Sequence, residues 1–160
     1  MKLVIRCQTE RYTGRMRPLV FALLLAGAAC RRDPASEQAK LEQEFERTMT
    51  NSTLTGKFSS LRNDRLSEDR YTISKVSRMA GNIWLIQTRI QYGGNDYTVP
   101  VPVKVLWAGD TPVITLDDVT IPNRGTFSAR VLVHKNQYAG TWSHSKGGGG
   151  QMFGRVERSK

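Results

Sequence analysis

The sequence predicts a mainly β protein: an antiparallel up-and-down barrel, or an open barrel or sandwich, of about eight short strands, preceded by one N-terminal helix. Three observations lead there. Apolar side chains recur at every second position over several long segments. Clusters of Gly, Asn, Asp and Pro punctuate those segments at short spacing. A four-residue apolar period occurs only once, upstream of all of them.

Residues 1–29 read as an export signal. Arg15 and Arg17 precede an apolar run of eleven residues, Leu19 to Ala29, which stops at Cys30. Spanning a bilayer takes about twenty residues, so the run fits a signal core and not a membrane helix. Met16 stands just before the run and is an alternative start. The stretch Leu25-Ala26-Gly27-Ala28-Ala29-Cys30 resembles the bacterial lipobox, with Gly27 where Leu is usual. The resemblance implies that Cys30 is lipidated and becomes the new N-terminus, which would anchor the protein to a membrane of the cell envelope. The alternative is cleavage after Ala28 at Ala26-Gly27-Ala28, giving a soluble secreted or periplasmic protein.

Residues 30–50 form the linker and helix. Asp33-Pro34 fits an N-cap followed by proline at the first helical position, and Glu37 places negative charge in the first turn. Leu41, Phe45 and Met49 then mark a narrow apolar stripe, expected to pack as a spacer or plug on the domain of residues 51–160.

Within that domain three strands are strongly patterned. Trp84, Ile86, Ile90 and Tyr92 share one face of Ile83 to Tyr92; Tyr97, Val99, Val101, Val103, Val105 and Trp107 share one face of the next; Phe127, Ala129, Val131 and Val133 do so within Thr126 to His134. Weaker strands fit Leu54 to Leu61, Tyr71 to Ser77, Val113 to Ile121, Tyr138 to His144 and Gln151 to Glu157. The intervening turns are Gly93-Gly94-Asn95-Asp96, Ala108-Gly109-Asp110, Pro122 to Gly125, and Ser145-Lys146 with the glycines at 147 to 150 as a hairpin tip. Pro100 and Pro102 have the same parity and withhold donors from one neighbouring strand, so a gap or frayed edge is expected there. Asp117-Asp118 breaks the alternation and predicts a bulge.

Leu54-Thr55-Gly56-Lys57-Phe58 and Tyr138-Ala139-Gly140-Thr141-Trp142 resemble the Gly-x-aromatic entries of the calycin-type barrels, the lipocalin-like and avidin-like proteins. The resemblance implies that Gly56 and Gly140 permit close approach, that Phe58 and Trp142 plug the barrel floor, and that the lumen holds a small apolar molecule. Trp84, Tyr92, Tyr97, Trp107 and Trp142 are then the candidate ligand-lining residues, against the plainer reading that they are packed core.

Composition narrows the function classes. The chain of 160 residues has room for one modest domain. Its formal charge is +10, of which about +6 remains after Cys30, compatible with anionic partners. The cations are scattered without a stacking-aromatic motif, so nucleic acid is not the expected partner. Processing at Cys30 also removes Cys7, leaving no thiol in the folded part. His134, His144, Asp110, Asp117 and Asp118 supply the pieces of a Ser/His/Asp set or a metal site, but no nucleophile elbow, EF-hand or ligand spacing organises them, and the glycine run is not a P-loop. The expectation is a non-enzyme with neither cofactor nor metal. Its barrel binds a small apolar ligand or a partner; alternatively it is an assembly factor with a filled core, docking an envelope protein or anionic polymer through a strand edge or basic face.

Overall fold

The computed structural model describes residues 33–63 and 65–158, so the signal segment, Met16 and Cys30 lie outside the described residues. One helix, α1 (Pro34–Met49), precedes eight strands: β1 (Ser52–Ser59), β2 (Leu66–Ala80), β3 (Ile83–Tyr92), β4 (Asn95–Ala108), β5 (Thr111–Ile121), β6 (Gly125–His134), β7 (Gln137–His144) and β8 (Gly149–Arg158). Each strand pairs antiparallel with the next, and β1 pairs with β8, closing the barrel.

β1 and β5 begin two residues earlier than the sequence reading, with β1 ending at Ser59, and two further elements depart from it for a visible reason. β2 extends well beyond Tyr71 to Ser77 because register shifts between Ile73 and Lys75 and between Arg78 and Ala80 scramble its alternation. Gly149 and Gly150 belong to β8 and are buried, so the hairpin tip is only Ser145 to Gly148. A Cβ on Gly150 would fall 1.9 Å from the Ser59 carbonyl oxygen, so the glycine is required by close strand approach.

The helix closes one end of the barrel. Its start is capped by the Asp33 carboxylate, which accepts from the Ala35 N–H at 3.1 Å. Phe45 and Met49 are buried, and the Phe45 ring stands edge-on to Trp84 (5.2 Å) and Trp107 (6.3 Å). Polar ties fix the plug: Arg78 pairs with Glu42, Thr50 Oγ1 accepts from the Val76 N–H, and the Arg158 guanidinium donates to the Arg47 carbonyl. At the opposite end lie the four turns between β1 and β2, β3 and β4, β5 and β6, and β7 and β8.

The wall is least complete between β4 and β5. Their ladder runs only from Ala108↔Thr111 to Lys104↔Thr115, whereas β3 pairs with β4 from Ile83↔Lys104 to Tyr92↔Asn95. The cause is chemical. Val105 N–H donates to Asn82 on the β3 side (2.9 Å), so even-numbered residues of β4 face β5. At 100 and 102 those residues are prolines, which have no N–H to give. Beyond Thr115, β5 itself bulges between Leu116 and Val119, with Asp118 at φ 50°.

Across the opposite wall runs a polar strut. Tyr138, Gly154, Gly56 and Asp69 are direct neighbours on β7, β8, β1 and β2. The Tyr138 side chain is buried, and its hydroxyl donates to Asp69 at 2.7 Å. A Cβ on Gly56 would lie 2.4 Å from that hydroxyl and one on Gly154 2.6 Å from the Tyr138 ring, so the two glycines make the trough in which the ring lies.

Candidate functional site

Inward-facing side chains do not fill the barrel. They leave a cavity of about 210 Å³ that opens at the end opposite α1. Its body is aliphatic, from Leu54 and Ile73 through Ile86, Ile90, Val101 and Ile114 to Val131 and Met152, because the strands alternate and every second residue points inward. Thr88 and Tyr71 contribute polar side chains to the wall, the Tyr71 hydroxyl being bonded to Asp69.

Above this body sits an arc of aromatic rings. Trp142 meets Phe58 at 5.8 Å, Phe58 meets Tyr92 at 6.1 Å, and Tyr92 meets Tyr97 at 6.4 Å, all edge to face. The Trp142 indole N–H is satisfied by the Ser59 carbonyl at 3.2 Å, which leaves its faces for packing. The arc narrows the entrance without sealing it.

The electrostatics of the lining are quiet. Burial drives the Tyr71 phenol well above its ordinary value, with Asp69 adding to the effect. Burial likewise raises Tyr97, helped by Tyr92 and opposed by Arg124. Both phenols are therefore neutral across the physiological range. Asp69, in the strut, is 2% exposed. Burial raises its carboxyl, while hydrogen bonds from Tyr138 and from Tyr71 (3.2 Å) work the other way.

The four turns at the mouth are laced together. Arg124 donates to the Asn95 side chain and lies 4.5 Å above the Tyr97 ring. His144 Nδ1 accepts from the Lys146 N–H, so its Nε2–H faces the Arg124 carbonyl at 3.3 Å. Arg62 donates to the Gly147 carbonyl at 2.9 Å, and Leu61 N–H donates to Gly149.

Of the aromatic residues singled out from sequence, Tyr92, Tyr97 and Trp142 line the cavity. Trp84 and Trp107 do not; they pack on Phe45 at the closed end, where their place in β3 and β4 puts them next to the helix. A second concavity of about 240 Å³ lies there, between α1 and the strand ends, and includes Trp107. Charged Glu44, Asp110 and Lys135 at its lip make it a packing groove of the helix, distinct from the lumen.

The barrel-entry motifs are also relocated. Gly56 and Gly140 do stand at close approaches, the latter with a Cβ position 2.0 Å from the Arg130 carbonyl oxygen. Phe58 and Trp142, however, form the collar at the mouth, and the floor is plugged by Phe45 and Met49. The reason is direction: β1 runs from the helix end toward the mouth, so Phe58 falls in its last turn of pleat. His134 and His144 sit at opposite ends of the β6–β7 hairpin, with His134 against Thr111 and His144 against Phe127. Among the described residues no three metal-ligating side chains converge.

Sequence reading missed Asp69, Tyr71 and Arg124. Asp69 has the parity of Tyr71 and Ile73, and a carboxylate on an inward face is a readable signal once the strand is drawn long enough. Arg124 had no such signal, because only the meeting of two turns brings it over Tyr97. Comparison of the chain with family models, curated proteins and solved structures found no match.

Proposed function

We propose that this protein is a non-catalytic carrier or sensor that holds one small apolar molecule in its barrel, at the surface of a membrane of the cell envelope to which Cys30 is lipid-anchored. One observation carries the binding reading: an uncharged cavity of about 210 Å³ beneath an aromatic collar, open at one end and plugged by α1 at the other. A pocket of this kind, apolar with a few polar groups, is what a ligand site requires. The anchor rests on the Leu19 to Cys30 segment alone. The alternative of an assembly factor with a filled core fits this interior less well.

Native mass spectrometry of the full chain purified from its own envelope tests the reading. The expected result is a small-molecule adduct that disappears in Ala129→Phe, a substitution that fills the cavity beside Trp142. A bare mass from the native source, with no uptake of added octanol, would count against it. Labelled-lipid incorporation abolished by Cys30→Ala is the companion result for the anchor, and undiminished incorporation would refute it.

A further inference from the structure

The lumen reading leaves the ligand's chemistry open, and the mouth narrows it. The cavity of about 210 Å³ exceeds the ~150 Å³ apolar cavity known to take up benzene, and is small for a drug-sized molecule. It therefore has room for a single ring or a short chain of comparable bulk.

The rim above that cavity is cationic and pre-set. Arg124 is held between Asn95 and the ring of Tyr97, itself a residue of the lumen lining. The neighbouring turn brings Lys146, whose backbone N–H is tied through His144 to the Arg124 carbonyl, and the Arg62 guanidinium is fixed on the Gly147 carbonyl. Among the described residues, no carboxylate forms a salt bridge with Arg124, Lys146 or Arg62; Asp96, on the strand beside Asn95, is engaged by Arg89. A guanidinium stacked on an aromatic ring keeps its outer N–H groups available in a fixed fork.

We infer that the ligand is a small amphiphilic carboxylate, with a single ring or short chain in the lumen and its carboxylate at the mouth on Arg124. This rests on the lumen reading and adds a head group to it. The apolar wall supplies affinity for the tail, since no charged group lines it. The rim cation supplies selection between a carboxylate and its neutral analogue. It also makes that selection salt-dependent, because the pair is exposed.

The test is calorimetric titration of the full chain with matched pairs, octanoate against 1-octanol and 3-phenylpropanoate against 3-phenylpropanol, at low and high salt. In the expected result each carboxylate binds about fivefold tighter than its alcohol at low salt, the upper end for an exposed ion pair. That advantage vanishes at high salt and in Arg124→Gln, while alcohol binding is unchanged, which also shows that the variant is folded. If acid and alcohol bind equally and Arg124→Gln alters neither, the head-group inference is overturned and the lumen reading stands. If no member binds at all, both fall.

Discussion

Tyr138 and Asp69 join β7 to β2 across the two intervening strands, with the tyrosine hydroxyl 2.7 Å from the carboxylate and the ring lying over Gly56 and Gly154. The bond is buried, so its loss leaves a carboxylate short of a donor. Tyr138→Phe is expected to destabilise the barrel by about 2 kcal/mol in urea unfolding, the scale for a hydrogen bond to a charged group. Gly56→Ala costs about 3 kcal/mol, because its Cβ would meet the Phe153 carbonyl oxygen 2.1 Å away, and backbone cannot step aside. Losses below 0.5 kcal/mol in both would mean that the strut carries no load.

The same carboxyl gives the fold a pH signature. Burial raises Asp69 above its unfolded value, so the native state holds the proton more tightly than the unfolded chain. Its contribution is full below about pH 3.9, the ordinary value, and declines as pH rises through the raised one. The stability of the wild type relative to Asp69→Asn should therefore grow as pH falls from 7 toward 4. A difference that shrinks on acidification would reverse the assigned direction.

At the closed end, Phe45 is 3% exposed and touches both Trp84 and Trp107. Phe45→Ala is expected to cost about 3 to 5 kcal/mol, the range for truncating a fully packed phenylalanine. Near-ultraviolet circular dichroism from the two tryptophans should weaken with it. A cost under 1 kcal/mol would show that the helix is a tether and not a plug.

The incomplete seam makes an alternating pattern of amide protection. Val99 and Val101 direct their N–H groups to β3, whereas Thr98 directs its own toward β5, where the ladder has ended. Hydrogen exchange should therefore be fast at Thr98 and slow at Val99 and Val101. Uniform protection along β4 would contradict the open seam.

How far the sequence carried can be seen at particular residues. The run Ile83 to Tyr92 matched β3 residue for residue, because both faces of that strand are regular. Asp33 and Pro34 marked the start of α1 for the same local reason. The prolines at 100 and 102 foretold where the β4–β5 ladder ends, since a missing donor is a property of the residue itself. What period two conveys is only inside against outside. It cannot tell height along the barrel, so Trp84 and Trp107 were grouped with Tyr92 and Tyr97 although they pack on the helix at the closed end, away from the mouth. The cationic rim was equally hidden, being made by turns that meet only after the barrel has closed.

That closure depends on one ladder, the pairing of β1 with β8 from Ser52↔Arg158 to Phe58↔Met152. Every other ladder joins consecutive strands and can form as a local hairpin. The long-range one must overcome the entropy of bringing the two ends of the domain together. Until it zips there is no enclosed lumen and nothing for a tail to enter. If the lumen takes the proposed ligand, that ligand would act on the finished barrel alone: it would slow unfolding, leave the refolding rate unchanged, and raise stability with the logarithm of its free concentration.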